Sequence, residues 1–270
     1  MKPVAEYFKP GNDISWLVKQ FEAINFYSKK GLTDKFVPRQ DASLVFHFGT
    51  LPRMLSPAEQ QLPRYFIAPL VPTANRIMIK GRTDVLIVTC NPTILSRILG
   101  ISMIREKKVC LNLPKHVFNP VWETMKKHDD PEGRIKAFSG FIHDIYPGKY
   151  IPDETDIMFE MICNSSFNTQ LRDIISDFQV CERTVQRRFR ERLGITPKML
   201  SRIVKINYLW NTINSKRPID YQDLVFLGNY FDQTHFIKDF KAMTGETPDY
   251  FFKRNLDMVR ILSGRAGQEN

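Results

Sequence analysis

The feature that most restricts the fold is a repeat in the last third of the chain. Arg188-Phe189-Arg190-Glu191-Arg192-Leu193-Gly194-Ile195-Thr196-Pro197 aligns with Asp239-Phe240-Lys241-Ala242-Met243-Thr244-Gly245-Glu246-Thr247-Pro248 at a constant shift of 51 residues. Phe, Gly, Thr and Pro recur in one register, and Val185 matches Phe236 upstream. Self-similarity at a fixed offset points to one supersecondary unit used twice.

Each copy reads as a helix, a turn and a second helix. In the first, Leu171, Ile174 and Ile175 give a short apolar face, and the turn falls near Phe178–Cys181. The second helix then runs from about Glu182 to Leu193. In the other copy Leu224, Val225 and Leu227 mark the first helix, and Asp232 offers the next one an N-cap oxygen. Gly194 and Gly245 stand where left-handed C-terminal caps belong. Thr196-Pro197 and Thr247-Pro248 are expected to cap and begin the helices that follow.

At about 100° per residue, Val185 and Phe189 point to one side of their helix, as do Phe236 and Phe240 of theirs. The opposing side carries Arg183, Gln186, Arg187 and Arg190 in the first copy and Thr234, Ile237, Lys238 and Lys241 in the second. Arginine can grip guanine O6 and N7 with two hydrogen bonds, and glutamine can pair with adenine. One Arg-rich helix alone reads as a solvated face; two in register read as a pair of DNA readers. Between them, Pro197 to about Ile213 reads as a linking helix with Leu200, Ile203, Val204 and Trp210 inward. Such a helix is ~24 Å long at ~1.5 Å per residue. With the offsets of the two reading helices it approaches the ~34 Å between successive major grooves on one face of DNA.

Net charge supports this only locally. The chain carries +10, but residues 1–150 hold 22 Lys and Arg against 13 Asp and Glu, whereas residues 151–270 hold 17 against 16. The basic excess is therefore not in the half assigned to DNA. From Glu182 to Lys205, however, eight Lys and Arg stand against two Glu.

The first half reads differently. Runs rich in β-branched and aromatic residues at Phe21–Tyr27, Leu44–Phe48, Tyr65–Ala68, Arg76–Lys80 and Asp84–Cys90 are punctuated by Pro and Gly, including Gly81, and predict a small sandwich or barrel. A short helix after Asn91-Pro92 is expected to turn Ile94, Leu95, Ile98 and Leu99 to one face. From Pro114 the spacing becomes helical, with Val117, Val121, Trp122 and Met125, then Ile135, Phe138, Ile142 and Ile145. Asp129-Asp130-Pro131 separates this pair, and Pro147-Gly148 ends it. The pair either forms a dimer interface or covers the sheet. The fold class expected is α+β: residues 1–150 as a β-rich sensor or dimerisation domain with a helical pair near 115–146, and residues 151–270 as an all-α DNA-binding domain with units at about 167–197 and 218–254.

The last hundred residues resemble the AraC/XylS family of bacterial transcription regulators. Its C-terminal signature, Gly-Phe-x-Asp-Gln-Ser-His-Phe followed by Phe-Lys, Gly-x-x-Pro and an aromatic, stands here as Asn229-Tyr230-Phe231-Asp232-Gln233-Thr234-His235-Phe236, Phe240-Lys241, Gly245, Pro248 and Tyr250. The family's Gln-Arg-x-Phe appears as Gln186-Arg187-Arg188-Phe189, and the match runs from about Phe167 to Arg254. Asn229 replaces the usual glycine, a departure the turn should survive because asparagine tolerates the left-handed region. Position by position, the resemblance implies base-facing roles for Arg183, Gln186 and Arg187, then Gln233, Thr234 and Lys238, with Arg190 and Lys241 extending the two faces. In the family the second unit can serve mainly for backbone contact. The first half is more loosely similar to the family's cupin-like effector domains, through Val37-Pro38-Arg39-Gln40-Asp41 before Ser43–Phe48 and Asp84–Cys90 leading into Asn91-Pro92. The partners implied are double-stranded DNA, a small-molecule effector, a second copy of the chain in a homodimer and RNA polymerase.

Other chemistries find little to stand on. Cys90, Cys110, Cys163 and Cys181 form no CxxC pair, and the five histidines form no HExxH or other ligand spacing. His47 lacks the second histidine two residues on that enzymatic cupins carry. GxSxG, P-loop and GxGxxG motifs are absent, so no catalytic residue, cofactor or metal is expected. Met1 to Pro10 has no uninterrupted apolar stretch, and no run approaches the ~20 residues of a membrane helix; a cytoplasmic protein without a membrane partner is expected. The rival reading is a non-sequence-specific nucleic-acid-binding or architectural protein, which shares the basic helices but predicts little sequence preference.

Overall fold

The computed structural model describes residues 4–104, 110–165, 169–213 and 220–263. The expected unit starts at Phe167 and position 218, and the first three residues of the amino-terminal stretch, lie outside the described residues.

The amino-terminal part is a seven-stranded antiparallel sheet: β1 (Val4–Phe8), β2 (Val18–Phe36), β3 (Ala42–His47), β4 (Arg53–Met54), β5 (Gln60–Gln61), β6 (Tyr65–Ala68) and β7 (Asn75–Cys90). The main hydrogen-bonded order is β1-β2-β7-β3-β6, with β4 pairing both β5 and β7. Gly81 does not end a strand as expected. The segments 76–80 and 84–90 are one strand, paired along β2 from Val18↔Cys90 to Phe36↔Asn75. A register shift between Ser28 and Leu32 absorbs the irregularity, and Gly81 sits there at φ 87°, a backbone conformation only glycine adopts without strain.

Strand alternation feeds two cores. Phe21, Leu44, Phe46, Leu86 and Val88 face one cluster, while Ile24, Phe26, Val45, Ile79 and Val85 face another. Covering on both sides explains why every residue of β3 is buried.

Helices cover the first face. Asn91 caps α1 (Pro92–Leu99) by accepting from the Thr93 and Ile94 amides. α2 (Lys115–Lys126) and α3 (Pro131–Ile145) lay Phe118 and Phe138 against Phe46, at ring-centroid distances of 6.5 and 5.9 Å. The Trp122 indole donates to the His47 carbonyl at 2.9 Å. Arg134 grips buried Asp84 with two hydrogen bonds, 2.5 and 3.2 Å, and stacks 4.0 Å from the Phe48 ring. The pair thus covers the sheet. Ile145, expected inward, is exposed at its end.

On the other face burial pushes the His47 imidazole down to about 4 from 6.5, and no charged neighbour opposes it. Between those values the folded chain binds fewer protons than the unfolded one. The stabilisation is complete above pH 6.5 and is lost as pH falls toward 4. Roughly 2–3 kcal/mol should be lost across this window in the parent but not in His47→Leu, measured by urea melts at about pH 7 and about pH 4.5. Equal pH slopes in the two proteins would show that this imidazole is not held neutral.

The remaining helices are α4 (Glu154–Asn164), α5 (Leu171–Ser176), α6 (Glu182–Leu193), α7 (Pro197–Thr212), α8 (Tyr221–Leu227), α9 (Gln233–Thr244), α10 (Pro248–Lys253) and α11 (Asp257–Leu262). Their buried residues continue the first cluster, except that Ile261 of α11 joins the core on the far face of the sheet.

Candidate nucleic-acid interface

The two repeated units are α5-turn-α6 and α8-turn-α9, with α7 between them. Their second helices are twelve residues each and end alike: Gly194 at φ 75° and Gly245 at φ 81° donate their amides to Arg190 O and Lys241 O. A Cβ at either position would force the left-handed region on an L side chain. Asp232 caps α9 by accepting from the His235 amide at 2.7 Å, and Thr196 caps α7 by accepting from Met199. Thr247 occupies the equivalent place before α10 but makes no side-chain cap bond, contrary to expectation. Asn229 has φ 46°, so the residue replacing the family's glycine adopts the left-handed conformation that the turn needs.

Burial follows the repeat. Val185 and Phe189 on α6, and Phe236 and Phe240 on α9, are all buried. Leu200, Ile203, Val204 and Trp210 of α7 are buried as well. In the shorter first helices only Ile174 and Leu224 are fully inside; Leu171, Ile175, Val225 and Leu227 pack at the margin.

On the outward sides Arg183, Arg187 and Arg190 are exposed and Gln186 is half-buried. Gln186 Nε2 donates to Glu182 Oε1 at 2.9 Å, and Arg187 lies 4.0 Å from Glu191, a contact between two exposed side chains. Gln233, Thr234, Lys238 and Lys241 are all exposed on α9. Ile237 is partly buried against the core, so the outward row of the second unit excludes it.

The local basic excess is smaller than the sequence count suggests. Three of its arginines are engaged by carboxylates of the same chain: Arg188 by Glu154 at 2.8 Å in an exposed pair, mostly buried Arg192 by Asp153 and Asp156 at 2.5 and 2.6 Å, and Arg202 by Asp239. The sequence offered one signal for the first two, the acidic run Asp153-Glu154-Thr155-Asp156, which also forms the capping box of α4. For Asp153, burial raises the carboxyl pKa, but the amide of Asp156, Arg192 and Arg97 together hold it below the usual value.

Both units are latched to the amino-terminal part. Arg192 Nη2 donates to Thr93 O of α1 at 2.7 Å, and the Met103 amide donates to Glu191 O at 2.7 Å. Arg97 of α1 donates to Tyr150 Oη and Ile151 O, and Tyr150 Oη donates to Asp156. At the other unit, Lys35 of β2 donates to Thr244 O at 2.6 Å and pairs with Glu246 at 2.9 Å. Arg254 pairs with Asp34 at 3.0 Å, and the Ala74 amide donates to Met243 O at 2.7 Å.

No His, Cys, Asp and Glu cluster able to hold a metal exists among the described residues. None of the four cysteines forms a disulfide; Cys90 and Cys110 are buried and Cys181 is exposed at the start of α6. Among the described residues no helix is long and apolar enough to cross a membrane.

Residues 175–254 match the family model described as a helix-turn-helix domain. No curated protein matches the chain. Among solved structures, ToxT from Vibrio cholerae is 11% identical over 94% of this chain and 98% of its own, with a TM-score of 0.46. ToxT of strain O395 bound to (E)-4-(8-methylnaphthalen-1-yl)but-3-enoic acid is 11% identical over 97% and 100%, also at 0.46. Wild-type ToxT of strain SCE256 bound to unsaturated fatty acid is 12% identical over 93% and 95%, at 0.45.

Proposed function

We propose, from the AraC-type helix-turn-helix domain that residues 175–254 form and the DNA-binding transcription regulator it supports, that this chain reads specific promoter sequences and does so under control of its amino-terminal half. The observation carrying this is the pair of outward rows, Arg183-Gln186-Arg187-Arg190 and Gln233-Thr234-Lys238-Lys241, on helices whose opposite sides are seated in register by Val185, Phe189, Phe236 and Phe240. With an apolar back anchored, the free side of each helix can enter a major groove, and side chains near its N-terminus meet base edges. The first unit, richer in arginine, carries base reading, and the second contributes more to backbone positioning.

Control has a physical route. Residues 1–150 act as the sensor or dimerisation domain, and separate contacts hold each unit against it: Arg192 and Met103 at one, Lys35 and Arg254 at the other. An effector that binds better when those contacts are made, or broken, shifts the orientation available to the reading helices. The setting is the cytoplasm, with duplex DNA, a second copy of the chain and RNA polymerase as partners.

Footprinting on genomic fragments tests the reading. Discrete protected blocks are expected, and Arg187→Ala should weaken binding to such a site by ~1–3 kcal/mol while relaxing preference at one base pair. Equal loss on random DNA would assign Arg187 to phosphate, and a uniform smear from the parent protein would favour an architectural role.

A further inference from the structure

The core on the far face of the sheet leaves a cavity of about 140 Å³. Ile24, Phe26, Val45 and Val85 form its walls, and Met258, Ile261 and Leu262 of α11 contribute to its lining from the carboxy-terminal side. Among the described residues, three polar atoms buried on this lining have no hydrogen-bond partner: Asp41 Oδ1, which Lys19 meets as an ion pair at 2.9 Å, and Nε2 of His47 and Oγ1 of Thr83, which meet nothing. A native structure seldom leaves such groups unmet, because each costs the full desolvation of a hydrogen-bonding atom. The His47 ring stacks on Phe66 at 6.0 Å, and burial holds it uncharged. Arg39 also reaches this lining, but Glu22 and Asp41 engage it at 3.5 and 3.9 Å.

We propose that this cavity binds a compact, uncharged, hydroxyl-bearing ligand the size of a single ring, whose hydroxyl pairs with His47 Nε2 while its body lies against the apolar walls. The volume fits, since an apolar protein cavity of ~150 Å³ accepts a benzene-sized molecule. The chemistry of the lining fits too. A neutral imidazole can accept from or donate to a hydroxyl, whereas a carboxylate would enter without a free cation to meet it. Thr83 lies within the same lining as a further partner. This proposal rests on the reading that the amino-terminal half takes an effector, and it gives that effector a route to DNA. α11 lines the cavity and follows α10 of the second unit after a short connection, so occupancy supports the seat of that unit.

The test uses the full chain with three para-related fluoroarene probes, 4-fluorophenol, fluorobenzene and 4-fluorobenzoate, followed by fluorine NMR and melting temperature. 4-Fluorophenol is expected to bind at least about ten-fold more tightly than fluorobenzene, and 4-fluorobenzoate more weakly than either. His47→Leu should abolish the preference for the phenol over fluorobenzene. Thr83→Val, a smaller change that removes the other orphaned atom, should reduce it. Both unliganded variants should melt at or above the parent temperature at about pH 7, because each loses an unmet polar atom. Tightest binding by 4-fluorobenzoate, an undiminished phenol preference in both variants, or no binding by any probe would each overturn the proposal. The DNA footprint of the unliganded protein is a separate readout, so failure here is distinguishable from failure of the promoter-binding reading.

Discussion

Phe240→Ala is expected to destabilise the chain by about 3–5 kcal/mol, the usual cost of truncating a buried phenylalanine. The ring is fully buried and meets Phe236 of its own helix and Phe251 and Phe252 of α10, at centroid distances of 5.9, 5.4 and 5.7 Å. Phe251 in turn packs edge-on against Trp210 of α7 at 5.0 Å. Removing Phe240 therefore opens a void at the centre of an aromatic cluster whose members hold one another in place. Chemical denaturation measures the loss, with Tyr250→Ala as the surface control, since Tyr250 is exposed and should change stability by no more than about 0.5 kcal/mol. DNA binding should fall with the folded population, without a change in which base pairs are preferred. A Phe240→Ala protein as stable as the parent would mean that the two faces of α9 have been assigned the wrong way round, and the proposed DNA-facing row with them.

The same residue shows why the repeat was legible without coordinates. Phe189 and Phe240 are fixed in register by the glycine that ends each helix five residues on, and both the apolar spacing and the cap are local properties of the chain. What stayed hidden was long-range. α4 was not foreseen, because Ile157, Met158 and Phe159 are consecutive and give no clean one-sided pattern; Ile157 is exposed and the other two buried. Gly81 looked like a strand end, and only its pairing opposite the register shift in β2 makes it an interior bend. α11 carries Val259 into the core around the helices and Ile261 into the core beyond the sheet, a division its own six residues do not announce. On α6 Arg183, Arg187 and Arg190 are exposed and Gln186 half-buried, but the count of charge around them included arginines that pair with carboxylates of the same chain, and a count carries no information about partners.

Arg192 makes that last distinction measurable. Arg187 and Arg192 lie on one helix and contribute the same formal charge, yet their environments predict opposite results. Arg192 is mostly buried, donates to Asp153, Asp156 and Thr93 O, and so ties α6 to the start of α4 and to α1 at once. Removing it leaves the nearly buried Asp156 carboxylate with the Asp153 amide at 2.9 Å, the Tyr150 hydroxyl at 2.6 Å and, as its nearest remaining cation, Arg97 at 3.6 Å. Breaking a buried pair from one side costs about 3–5 kcal/mol, because the surviving charge keeps its desolvation penalty. Arg192→Ala is therefore expected to be destabilised by that amount. Arg192→Lys should recover little of it, since a single ammonium cannot reproduce a guanidinium that bridges two carboxylates and a carbonyl. Arg187→Ala should leave the denaturation midpoint within the range of ordinary surface changes and lose sequence preference instead. Adding Asp156→Asn to Arg192→Ala should restore part of the stability, because the neutral amide no longer leaves a charge unmet. If the double variant is as unstable as the sum of the two single ones, the carboxylate is not the source of the cost, and the latch between the reading helix and the amino-terminal half has been misassigned.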